Sequence, residues 1–125
     1  MEEILVLTKR IGNLFHEITD ITVQMADALD RRDEVSVKML IAMRGEPIER
    51  LTIADRALRE HLAQLDEEDA QRIRAILNGD ETDADQPLEK ILAGQAAMNI
   101  RAHSKLVELD KVLNRKIAQD KSIYQ

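Results

Sequence analysis

The sequence predicts an all-α protein, an antiparallel bundle of three long helices plus one short helix, formed by residues 1–125 as a single domain. Three observations carry that prediction. Apolar residues recur at steps of three and four along most of the chain, the period of one helix face. Apolar residues make up 44% of the chain, yet Phe15 and Tyr124 are the only aromatics. That composition suits helices packed side by side through Leu, Ile, Met and Ala. With four glycines and two prolines, there is little turn material for a many-stranded sheet.

The first helix is expected over residues 3–30, about 40 Å long. Its seam reads Ile4, Leu7, Ile11, Leu14, Ile18, Ile21, Met25, Ala28, alternating steps of three and four without a miss. Phe15 and Leu29 widen the stripe on one flank, which predicts contact with more than one neighbour. Asp30-Arg31-Arg32-Asp33 is a tight polar turn, with Asp33 the expected N-cap of the second helix. That helix carries Val37, Leu40/Ile41, Ile48, Leu51, Ala54, Leu58, Leu62 and Leu65. Proline 47 removes a helical donor, so a kink or short break is expected at Arg44-Gly45-Glu46-Pro47.

Asp66-Glu67-Glu68-Asp69 reads as the start of a short third helix, Asp66 capping and the acids complementing the dipole. It should stop at Asn78-Gly79. Residues 79–86 form an acidic loop without an apolar anchor, expected to be a mobile surface segment and not a metal site. Pro87 suits the first turn of the last helix, which carries Leu88, Ile91/Leu92, Ala96, Ala102, Leu106, Leu109, Leu113 and Ile117. Its stripe weakens around Asn99 and His103.

Several function classes fall away. Without cysteine there are no disulfides, thiolate metal sites or thiol nucleophiles. Net charge is −6, distributed as −4 over residues 1–30, +1 over 31–65, −6 over 66–86 and +3 over 87–125. An acidic surface disfavours nucleic acid and anionic lipid. No apolar run approaches a membrane span, and the acidic start Met1-Glu2-Glu3 does not resemble a signal peptide, so a cytoplasmic protein without stable membrane insertion is expected. His16, His61 and His103 fall on different helices without metal-ligand spacing, and no metal or cofactor is expected. A narrow bundle offers little of the concave volume catalysis needs, so an enzyme is not expected. Arg44 interrupts an apolar line of the second helix. It reads first as an arginine snorkelling past the kink to solvent, and second as a polar pin fixing register or a partner contact. Asn99 admits the same two readings.

The stretch Met25-Ala-Asp-Ala-Leu-Asp-Arg-Arg-Asp, then Val37-Lys-Met-Leu-Ile-Ala-Met-Arg-Gly-Glu-Pro-Ile-Glu-Arg-Leu and Ile53-Ala-Asp, resembles the FlgN- and FliT-type flagellar export chaperones. The likeness covers the first half of the chain best and extends loosely to a Lys-containing C-terminal helix with a tyrosine. Gly45-Glu46-Pro47 departs from the family's pattern. The resemblance implies a chaperone that binds the helical C-terminal region of an axial, hook-associated protein and delivers it to the export apparatus, by helix-in-groove recognition. The alternative is a self-assembling helical module, with which a homodimer through the seam is compatible. Partner binding is expected at Leu106, Leu109, Val112, Leu113, Ile117 and Tyr124. There a basic segment carrying Lys105, Lys111, Arg115, Lys116 and Lys121 alternates with aliphatic residues and ends near a lone tyrosine. Phe15 on the first helix is the second expected contact.

Overall fold

The computed structural model describes residues 1–80 and 86–119; residues 81–85 of the predicted acidic loop and Tyr124 lie outside them. The described residues form four helices, α1 (Glu2–Asp30), α2 (Glu34–Ala63), α3 (Glu67–Leu77) and α4 (Pro87–Gln119). Among the described residues there is no strand.

Local chemistry sets the helix limits. The Asp33 carboxylate accepts the Ser36 backbone N–H at 3.1 Å and the Ser36 hydroxyl at 2.6 Å. These two bonds, the hydroxyl first, hold its carboxyl below the ordinary aspartate range. Asp66 caps α3 the same way, accepting from the Asp69 N–H at 2.8 Å. α1 and α3 end alike. Asp33 N–H donates to Ala28 O and Arg32 N–H to Leu29 O, as Asp80 N–H donates to Ala75 O and Gly79 N–H to Ile76 O. Both are Schellman closures needing one left-handed residue. After α3 that residue is Gly79 (φ +79°), whereas after α1 it is Arg32 (φ +57°).

α1 is the central helix and has two working lines. Every member of the predicted seam, Ile4 through Ala28, is buried. One position round the helix runs a second heptad line, Leu5, Thr8, Gly12, Phe15, Thr19, Thr22, Ala26 and Leu29, of which all but Phe15 and Ala26 are buried. Its threonines are compatible with burial because the hydroxyls of Thr8 and Thr22 donate to the carbonyls of Ile4 and Ile18, each at 2.7 Å. α2 runs antiparallel to α1, with Glu3 against His61 at 3.1 Å and Glu17 against Arg50 at 2.8 Å.

α4 departs from the expected antiparallel arrangement. Asn99 Nδ2 donates to Thr8 O at 2.8 Å, the His103 ring lies 5.5 Å from Phe15, and Lys116 bonds Asp30. Residue numbers rise together on both helices, so α4 is parallel to α1. The short α3 makes this possible. It climbs only part of the bundle, bringing Gly79 beside Ile100, while Pro87 lies back at the base near Ile4.

Of the kink or short break expected in α2, the break is absent. The helix is unbroken through Pro47. Its inward line is Val37, Leu40, Arg44, Pro47, Leu51, Ala54, Leu58, Leu62; Pro47 is fully buried while Ile48 and Ile41 are each 41% exposed. The line passes through a charge and a proline, so a count of apolar residues steps onto Ile48 instead. Arg44 does not snorkel into solvent. Its side chain is 19% exposed and pairs with Asp110 of α4, leaving its Nε buried without a partner.

The Arg44–Asp110 pair separates two apolar clusters. The proximal one joins all four helices through Ile4, Leu7, Ile11, Leu14, Leu58, Leu62, Ile73, Ile76 and Leu92. The distal one joins three, through Ile21, Met25, Ala28, Leu29, Val37, Leu40 and Leu113.

Candidate partner-binding surface

Most of the C-terminal residues expected to bind a partner are engaged within the chain. Leu113 belongs to the distal core, Ile117 packs against it, Leu106 is buried and Leu109 is half-buried. The cations are partly engaged too, Lys116 with Asp30 and Lys111 with Glu108 at 3.2 Å. α4 needs these side chains for its own docking, because around Asn99 and His103 it meets α1 through an amide and an imidazole. Among the described members of the set, Val112, 39% exposed, is the one that faces solvent.

Phe15 is half-buried and tilted 53° against His103. The two rings floor a groove of about 270 Å³ where α3 ends, walled by Ile11, Leu58, Leu77 and Ile100. A second recess of about 380 Å³ lies at the base, between Ile4, Leu65, Ile73 and Leu88. Its buried carboxylate, Glu89, accepts from Arg72 Nε at 2.8 Å, and Arg72 also meets Asp69 at 3.0 Å. That ion-pair cluster ties α3 to α4.

A run of uncovered apolar residues lies elsewhere, on the distal half of α2. Residues 35–43 read Val-Ser-Val-Lys-Met-Leu-Ile-Ala-Met, apolar on nearly every side. A helix of that kind is ordinarily enclosed, yet only Val37 and Leu40 are covered. On one edge Val35, Met39 and Met43 are 80, 56 and 48% exposed. Met39 borders a notch of about 160 Å³ against α1, with Gln24, Asp27 and Arg31 opposite. On the other edge Ile41 and Ile48 stand seven residues apart, in line with Asp55, which borders the Phe15 groove. Other strongly exposed aliphatics, Val6, Ile53, Ile91 and Met98, are spread over three helices, whereas four fall within residues 35–43. The signal in the sequence was the weak amphipathicity of this stretch, which a search for one buried face passes over.

The histidines do not converge. His16 is exposed, His61 meets Glu3 and His103 stacks on Phe15. Among the described residues no three histidine or carboxylate side chains could hold a metal ion, and no helix is long and apolar enough to cross a membrane. No family model, curated protein or solved structure matches the chain.

Proposed function

We propose that the chain is a protein-binding chaperone of the flagellar export type, which takes up an amphipathic helix of an axial, hook-associated client on the distal half of α2. Acting in the cytoplasm, it holds the client unassembled and passes it to the export apparatus. The observation that carries the reading is that Val35, Met39, Ile41 and Met43 are 80, 56, 41 and 48% exposed within one segment of α2 where only Val37 and Leu40 are buried. A client helix laid along this segment covers apolar side chains of α2 that the chain leaves exposed. The recognition is helix-in-groove, with anchors at i, i+3, i+4 and i+7. Met39 and Met43 suit it, because unbranched thioethers adapt to more than one client surface. No bond is made or broken, so no catalytic group is required. The resemblance of residues 24–58 to the FlgN and FliT type names the class of client.

The test is calorimetry and light scattering with C-terminal helical segments of hook-associated proteins from the same organism. A small protein that forms a discrete complex with one of them is expected. Met39→Glu together with Ile41→Glu should abolish that complex while leaving the circular dichroism unchanged. A constitutive oligomer that binds no segment, and that the same substitutions dissociate, would replace this reading with the self-assembling module.

A further inference from the structure

The surface proposed to take a client helix carries three exposed carboxylates along its α1 side, and we infer that its partner is an amphipathic helix bordered by lysine or arginine; the inference rests on the function proposed above. The apolar edge Val35–Met39–Met43 lies against α1 in antiparallel register, set by Glu17–Arg50 at 2.8 Å and by Asp27 and Arg31 beside Met39 and Ser36. Along this edge stand Asp20 and Asp27, seven residues apart on α1, and Glu46 on α2, one turn beyond Met43. All three are exposed and none has an ion-pair partner among the described residues. Of the cations nearby, Arg50 holds Glu17 at 2.8 Å, and Arg31, 4.0 Å from Asp33, is the one that lines the same notch, so the carboxylates outnumber it. Lys38 projects from the side of α2 away from α1. An apolar helix face therefore meets Val35, Met39 and Met43, while basic residues on its border meet Asp20, Asp27 and Glu46. Such complementary borders select the partner and speed its encounter more than they add affinity.

Two fluorescent helical peptides with the same Leu/Ile face, one bordered by Lys and one by Glu, test this by polarisation. The Lys-bordered peptide should bind about tenfold tighter, and the advantage should shrink as salt screens exposed charges. The triple variant Asp20→Asn, Asp27→Asn, Glu46→Gln should bring the two affinities within about threefold. Met39→Ala with Met43→Ala should weaken both peptides alike. Equal binding of the two peptides, or preference for the Glu-bordered one, overturns the inference and leaves the proposed function standing. A Lys preference that survives the triple variant overturns it too, because the basic peptide then sits elsewhere on this acidic chain. If neither peptide binds while a natural client segment does, the inference alone fails. If no helix binds at all, the proposed function fails with it.

Discussion

The two ends of the molecule are built from the same three long helices, yet they solve the burial problem differently. At the proximal end α3 lies between α2 and α4, and eleven core residues drawn from all four helices interlock. At the distal end no fourth helix is present among the described residues, and seven residues from three helices form the cluster. Burial stabilises roughly in proportion to the apolar area removed from water. The distal end, with less of it, depends more on polar ties: Arg44–Asp110 below the cluster and Lys116–Asp30 above it. The difference teaches where binding has room. A surface already completed by α3 has little to gain from a partner, whereas the uncovered sides of α2 at the distal end do.

The sharpest way to break this comparison is a pair of matched cavities. Ile73 and Leu113 are each 2% exposed, one in each cluster. Truncating either to alanine should cost about 2–4 kcal/mol in denaturant melts. Leu113→Ala should in addition release amide protection over residues 106–119 before the rest, as local opening begins where buried contacts are fewest. If α3 exchanged first in Leu113→Ala, the distal end would not be the weaker one.

A smaller effect is expected at the boundary between the clusters. Asp110→Ala leaves the Arg44 guanidinium without its partner and should cost about 1–3 kcal/mol, less than a fully buried pair because Asp110 is partly exposed. Arg44→Met combined with Asp110→Leu should recover most of that loss. A double variant no more stable than Asp110→Ala would mean that the pair is more than an isolated polar tie.

Gly12 tests how closely α1 and α4 approach. A methyl there overlaps the amides of Gln95 and Asn99, and Asn99 is held by its bond to Thr8 O. Gly12→Ala should destabilise by about 1 kcal/mol, even after the helix propensity that alanine adds. A more stable variant would show that the two amides move aside freely.

The smallest effect has the opposite sign. Arg32 occupies a left-handed position (φ +57°) that costs an L-residue about 1 kcal/mol. Arg32→Gly should stabilise by up to about 0.5–1 kcal/mol, bringing the α1 ending into line with the α3 ending at Gly79. The melting temperature should rise by a few degrees, while His16→Ala, at an exposed position, should leave it within about 0.5 kcal/mol of the parent.

What the sequence by itself determined was whatever depends on neighbours a few residues apart. The α1 seam from Ile4 to Ala28, the caps Asp33 and Asp66, the stop at Gly79 and the start at Pro87 are all local. Each follows from helix period or from orphan backbone donors that a nearby side chain satisfies. Tertiary structure decided the rest. The inward line of α2 admits Arg44 because Asp110, sixty-six positions away, lies within bonding distance, and no period in α2 records that. α4 runs parallel to α1 because α3 stops partway up the bundle, and the direction of a helix leaves no trace in its own periodicity. The residues expected to meet a partner divided in the same way. Leu106, Leu113 and Ile117 were legible as apolar, but an apolar side chain looks the same in sequence whether it faces α1 or solvent. Only the packed chain separated them, as covered, from Val35, Met39 and Met43, which stay exposed, because burial is a property of which surfaces find each other.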